Sequence, residues 1–280
     1  MRVRVVPCFC MVAKMRIAKD FNEFSPAKYL AEQYDIQNAP EMRFILRFLH
    51  DTYRALGRNN LRILEIGGGA AIYQLISASR YSKTIIFTDF LEGNLQEVRQ
   101  WVSGQKNLFD WQPYFRIVAE WEKGHNAKKL KQRLQSKMTK IFPLDILHEE
   151  SPLKGKTFDV VSTHFCPESI QNKRSTFLKA LRTITSYVKP RGTLVMSAVK
   201  NFTSYQVGKY YFPAYPIDEK TLRRALRALG FSSIEIQTID VEVDGEQYAN
   251  MCVRAVRDTH IGIQFKNCNI CILVPSPKLL

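Results

Sequence analysis

The sequence predicts a doubly wound, Rossmann-like α/β fold, and three observations predict it. Leu61 to Tyr73 reads as a short apolar strand, three glycines and the start of an apolar-periodic helix. From about 61 to 199, apolar runs alternate with helical patterns, which implies a parallel sheet with helices on both faces. Asp89 closes the second apolar run and Asp145 the third, at the strand ends where such sheets bind ligands.

Ile63, Leu64 and Ile66 form the first strand, over about 61–66, with Glu65 read as its end. Gly67, Gly68 and Gly69 follow, and a helix is expected over about 71–80. Glycines at a strand-to-helix turn let the backbone pass close to a ligand, because no Cβ intervenes. The spacing departs from Gly-x-Gly-x-x-Gly, so on the glycines alone a tight loop without a ligand is an equal reading. Glu65 suits a cofactor that carries an amine and no pyrophosphate. That favours S-adenosylmethionine over a nicotinamide dinucleotide. Asp89, about 20 residues on, suits the two hydroxyls of a ribose.

The other elements follow the same logic. Ser25-Pro26 starts a helix, with Ser capping and Pro in the first turn. A second helix begins near Pro40, presents Met42, Ile45, Leu46, Leu49 and Tyr53 on one stripe, and stops at Gly57. The second strand covers about 83–88, and its helix carries Leu95, Val98 and Trp101. A polar, aromatic insertion with Phe109-Asp110-Trp111 follows. The densest basic run, from Lys128 to Lys140, reads as a solvated helix. Lys140 to Asp145 is a third strand and Phe158 to Thr163 a fourth. A helix through Phe177, Leu181 and Val188 leads by Lys189-Pro190-Arg191-Gly192 into a strand from Thr193 to Ala198. A last helix starts near Asp218, and two strands at about 231–242 and 248–256 close an antiparallel edge.

The chain has 280 residues, enough for one α/β domain with attachments. The formal net charge of +15 raises nucleic acid as a partner, but the charge is spread along the sequence. The six cysteines include Cys8-x-Cys10 and Cys268-x-x-Cys271 at opposite ends, without helpful histidine spacing, so no metal site is expected. The N-terminus is too short and interrupted for a signal peptide, and no run reaches the length of a membrane span. A cytoplasmic protein with reduced thiols is the expectation.

The residues also carry a resemblance. Gly67-Gly-Gly-Ala-Ala-Ile-Tyr-Gln-Leu75 resembles the glycine motif of the small-molecule amine methyltransferases, the family that includes nicotinamide, phenylethanolamine and indolethylamine N-methyltransferases. Thr88-Asp89-Phe90 with Asn94 and Trp101, Phe109-Asp-Trp-Gln-Pro113, and Ser204-Tyr205-Gln-Val-Gly208 with Phe212 resemble its other motifs. The match runs from about Phe24 to Arg257. It implies a seven-stranded methyltransferase sheet with an N-terminal helical cap. The expected organisation is an extension over 1–19, a methyltransferase domain over 20–257 and a tail over 258–280. Within the domain, 20–60 is the cap, 61–199 the cofactor core, and 200–257 the acceptor loop and terminal strands.

Carried over by position, Tyr29 and Tyr34 close over the methionine end of the cofactor. Gly67, Gly69 and Tyr73 contact its backbone, Asp89 and Asn94 take the ribose, and Asp145 and Ile146 hold the adenine. His164 falls beside the cofactor at the fourth strand, although its residue type departs from the family. Glu168 is the candidate amine partner. Ser197, Ala198, Tyr205 and Ala214 are expected to line the acceptor pocket. Ser197 and Ala214 stand where the nicotinamide enzyme has an acid and a serine, which argues against nicotinamide. The resulting expectation is a monomeric S-adenosylmethionine-dependent N-methyltransferase of a small amine or N-heterocycle. An RNA-modifying enzyme and a non-catalytic partner subunit are the alternatives. Ser162 to Glu168 lacks the Pro-Pro-aromatic motif usual in base-amine methyltransferases.

Overall fold

The computed structural model describes residues 16–34, 40–148, 150–243 and 246–259. A two-residue strand β1 (Arg16–Ile17) precedes two helices, α1 (Pro26–Gln33) and α2 (Pro40–Ala55). Ser25 caps α1 by accepting from the Lys28 N–H at 3.4 Å. The strand β2 (Leu61–Ile66) follows, then α3 (Ala78–Tyr81), β3 (Ser82–Asp89) and α4 (Glu92–Val102). Next come α5 (Gln112–Trp121), α6 (Ala127–Lys137) and β4 (Met138–Pro143). The chain continues through β5 (Phe158–His164), α7 (Arg174–Ser186), β6 (Val188–Lys200) and the short pair β7 (Ser204–Val207) and β8 (Tyr210–Pro213). It closes with α8 (Glu219–Ala228), β9 (Phe231–Val243) and β10 (Glu246–Arg257).

The main sheet has seven strands in the order β4-β3-β2-β5-β6-β10-β9. The pairs from β4 to β6 are parallel, and β10 runs antiparallel to both neighbours. This is the seven-stranded, doubly wound arrangement expected. The strand order reverses between β2 and β5, so a crevice opens beyond their carboxyl ends. Alternate residues of the strands feed two cores. Ile63, Ile85, Val160 and Val195 pack with α2, α5 and α6. Leu64, Val161, Leu194 and Met196 pack with α7 and α8.

Several elements differ from the sequence reading. Glu65 lies inside β2, not at its end. The helix expected over 71–80 is a single 3-10 turn, Tyr73–Leu75, followed by the four-residue α3. The Gln74 side chain accounts for the irregular backbone, since its amide donates to the Ala71 carbonyl at 3.1 Å and to Glu65 Oε1 at 3.2 Å. β4 stops at Pro143, so Asp145 belongs to the loop beyond it. The 109–121 insertion contains a helix, α5, that buries Tyr114, Phe115 and Val118. β6 begins at Val188 and absorbs the expected turn, with Arg191 at φ +59° and a register shift opposite β5.

The second sheet, β1-β8-β7, was not foreseen. It lies over the crevice beside α1. There Glu32 Oε2 accepts the Gly208 N–H at 2.9 Å, and the Gln33 amide donates to the Gln206 carbonyl at 3.2 Å. Cys8, Cys10, Cys268 and Cys271 lie outside the described residues, as do 1–15 and 260–280 of the two expected extensions.

Candidate active site

A cleft of about 430 Å³ opens where β2, β3 and β5 end. That volume lies in the range of small-molecule sites. The loop after β2 supplies Gly67, Gly68 and Gly69; β3 supplies Asp89 and, just beyond it, Phe90, Leu91 and Asn94. Asp145 and Ile146 come from the loop after β4, and His164 with Cys166 from the end of β5. Phe21, Tyr29, Tyr34 and Tyr205 close the side formed by the N-terminal helices and the small sheet.

The glycines are demanded by geometry. Gly67 and Gly69 both sit at φ +63°, where L side chains are strained. A Cβ on Gly67 would collide with the Cys166 thiol, and one on Gly68 with the Phe87 ring. At Gly69 the nearest atom is the Ala71 nitrogen at 4.0 Å, so its face is open.

Asp89 is buried and fully oriented. Its Oδ2 accepts the Gly69 N–H at 2.8 Å, and its Oδ1 accepts the Leu91 N–H at 2.8 Å and the Asn94 amide at 2.9 Å. Burial pushes its carboxyl above the usual aspartate range, and these three donors pull it back part of the way. Asp145 is exposed and uses Oδ1 to accept the Leu147 N–H at 2.7 Å. Tyr29 and Tyr34 meet edge to face with centroids 5.6 Å apart. Tyr73 was expected at the cofactor but is off the wall. It is fully buried, packed against Tyr34, Trp111, Tyr114 and His164.

His164 reaches the cleft with both ring nitrogens engaged, Nε2 with Ser162 Oγ and Nδ1 with Ser197 Oγ, each at 2.9 Å. Burial lowers its pKa to about 3, so the ring is neutral. Glu168, Ser197, Ala198 and Ala214 stand behind the wall, not on it. For Ser197 and Ala198 the physical reason is strand alternation on β6. Ser197 turns toward His164 and Cys252, whereas Ala198 points into the opposite core. Glu168 Oε1 accepts the Val199 N–H at 3.3 Å, while Oε2 has no hydrogen-bond partner. Burial pushes the Glu168 carboxyl up to about 8, and its charge acts on the cleft residues Tyr29, Tyr205 and Cys166.

Sequence reasoning gave no role to Phe21, Asn22, Phe90, Cys166 or Gln171, which also line the cleft. Phe90 is 57% exposed at the mouth, although it sits in the Thr88-Asp89-Phe90 motif. Among the described residues no lysine or arginine lines the cleft, and no cluster of His, Cys, Asp or Glu could hold a metal ion. The wall therefore suits a cationic or hydroxyl-bearing ligand and does not suit phosphates. The cleft thus offers open glycine backbone beside two carboxylates, Asp89 and Asp145.

Comparison with known proteins places the chain in a family. The family model for the NNMT/PNMT/TEMT family matches residues 13–256. The chain is 29% identical to phenylethanolamine N-methyltransferase of Mus musculus, over 80% of each protein. It is 25% identical to human nicotinamide N-methyltransferase, over 75% of this chain and 83% of that protein. Among solved structures it resembles the magnesium protoporphyrin IX methyltransferase of Synechocystis PCC 6803 with bound SAM. The TM-score is 0.52 at 14% identity, covering 85% of this chain and 93% of that one, a likeness of fold. The chain belongs to the NNMT/PNMT/TEMT family.

Proposed function

We propose that this cleft is the S-adenosylmethionine site and that the acceptor is a small amine or N-heterocycle, methylated on nitrogen. As a member of its family the chain is an S-adenosylmethionine-dependent methyltransferase of the Rossmann-like fold. The observation that carries the site assignment is Asp89. It is a buried carboxylate at the end of β3, pre-oriented by three donors and facing a glycine loop with φ +63° at two positions. The amine acceptor is supported by the relatives, whose names specify phenylethanolamine and nicotinamide.

The cofactor, when bound, supplies a methyl group activated on a sulfonium. The chain's own residues position and shield. Asp89 and Asn94 take the ribose, Asp145 and Ile146 the adenine, and Gly67 and Gly69 admit the methionine end. Tyr29, Tyr34 and Tyr205 exclude water and offer aromatic faces to a cation. Glu168 holds or accepts the proton of an alkylammonium acceptor from behind that wall. Of the expected cap over 20–60, residues 20–34 with α1 act as the cap over this site, whereas α2 packs against the face of the sheet. A monomer in the cytoplasm suits the free thiols of Cys166 and Cys252.

Titration calorimetry with S-adenosylmethionine and S-adenosylhomocysteine tests the reading directly. Micromolar binding of both is expected, followed by labelled methyl transfer to members of an alkylamine and pyridine panel. A folded sample that binds neither would overturn it.

A further inference from the structure

The formal net charge of +15 is spread along the sequence, but the fold gathers part of it at one end of the sheet. The strands from β4 to β6 are mutually parallel, so all five begin at the same end, opposite the cleft. In their side-by-side order, Lys137 precedes β4, Lys83 is the second residue of β3, and Arg58 precedes β2. Lys154 and Lys156 precede β5, and Arg191 sits in the register shift at the start of β6. Each strand start therefore adds a cation to one row.

The row is accessible and uncompensated. Lys137 is half-buried and the other five residues are exposed. Among the described residues none of the six is in an ion pair. The carboxylates of Asp159 and Glu235 are already taken, by Lys189 and by Arg254. Glu150 and Asp258 have no ion pair, and together they offset only part of the row. Arg58 and Arg191 line one hollow of about 550 Å³. Lys154 and Lys156 line another of about 460 Å³, with Lys179, Arg182 and His148 and no carboxylate in its wall. The cleft at the other end carries Asp20, Asp89 and Asp145 and no lysine or arginine. The molecule is thus polarised, with its cations displaced away from the methyl-transfer site.

Such a row fits a polyanion. Strands lie about 4.8 Å apart, so five strand starts span about 19 Å. A nucleic-acid strand that rises about 3.4 Å per phosphate sets about five or six phosphates along that length. The exposed large hydrophobic residues among those described are Ile17, on β1, and Phe90, at the cleft mouth. This end therefore offers neither an aromatic platform for bases nor an apolar face for a lipid surface. We propose that the amino-terminal end of the sheet binds the phosphate backbone of single-stranded RNA without reading its sequence. The RNA is a partner held away from the cleft, not the methyl acceptor.

Fluorescence anisotropy of a short labelled oligo-uridine, titrated with the full-length protein, tests this. Binding is expected at low salt, with equal affinity for an oligo-adenosine of the same length. With about four to six phosphates neutralised, affinity should fall roughly 50- to 300-fold between about 50 and 200 mM salt. Lys154→Glu combined with Lys156→Glu should weaken binding by at least about 10-fold and flatten the salt dependence. Lys128→Glu combined with Lys129→Glu makes the same change in net charge at the far end of α6, and should cost far less. All four lysines are exposed, and thermal melts confirm that both variants fold. S-adenosylhomocysteine should leave RNA binding unchanged. No RNA binding at low salt, equal losses from the two lysine pairs, or displacement by S-adenosylhomocysteine overturns the proposal. Binding to phosphatidylserine vesicles without binding to RNA overturns it too.

Discussion

Asp89 shows how much a single side chain can be prepared for a ligand. Three donors hold its carboxylate before any hydroxyl arrives, and two of them, Gly69 and Leu91, are backbone. The Phe90 backbone N–H also acts on the carboxylate, so the group is held rigidly toward the cleft. Removing the group costs a bound ligand its hydrogen bond to the carboxylate and leaves the Gly69 and Leu91 N–H groups and the Asn94 amide unpaired. Asp89→Ala should therefore weaken S-adenosylmethionine binding by about 1–3 kcal/mol. Asp89→Asn, which keeps shape but not charge, should fall between the two. Calorimetry alongside a thermal melt separates binding from folding. Unchanged affinity in a folded Asp89→Ala sample would sink the ribose assignment. This residue was legible in the sequence because a strand-ending acid at a fixed distance from a glycine loop is a local pattern. Tyr73 and Ser197 were not, because nothing local tells whether a residue faces the cleft or the layer behind it.

At the scale of elements, the Lys-rich helix makes the same point. The run from Lys128 to Lys140 read as a solvated helix, and Lys128 and Lys129 on α6 are indeed exposed. Arg133 within it is not. Its guanidinium forks onto the fully buried Glu122 at the end of α5, with nitrogens 2.8 and 3.0 Å from the two carboxylate oxygens. It also donates to Ser79 Oγ at 2.9 Å, so one side chain ties α6 to α3 and α5. Arg80 Nη1 also lies 3.5 Å from Glu122 Oε2, so Glu122 keeps one cation when Arg133 is removed. Stranding a buried charge outright costs about 3–5 kcal/mol, and Arg133→Ala should lose less than that but clearly more than Lys129→Ala, which should change stability by well under about 1 kcal/mol in denaturant unfolding. Equal, small effects would mean that Arg80 alone satisfies Glu122 or that Glu122 protonates. Sequence periodicity located both helices' neighbourhoods but missed α5 itself, whose apolar stripe is short and begins inside an aromatic motif. The small sheet was out of reach altogether. Its β1–β8 pairing joins Arg16 to Tyr210, and no local signal specifies so distant a register.

For the whole molecule, the decisive quantity is the number of carboxyls buried without a cation. Glu65 and Glu168 are both buried, and both are raised to about 8 from an ordinary 4.5 by burial. A carboxyl raised in the folded state gives stability that is complete below the unfolded pKa and is lost as pH rises through the folded one. His164 works the other way. Its folded pKa of about 3 lies below the ordinary 6.5, so its share is present above 6.5 and lost as pH falls toward about 3. The two trends oppose each other at acid pH. Between about 6.5 and 8 the carboxyls act without that opposition, and the folded state holds up to two more protons than the unfolded chain. Stability should therefore decline with rising pH across this window, by up to about 3 kcal/mol per pH unit. Denaturant unfolding at a series of pH values measures the slope. Glu168→Gln, which keeps the shape and removes one titrating group, should roughly halve it. A stability that is flat or rising from 6.5 to 8 in the parent protein would mean that both carboxyls are ionised in the fold. Glu168 would then meet an amine acceptor as a standing anion, not as a group that exchanges a proton with it.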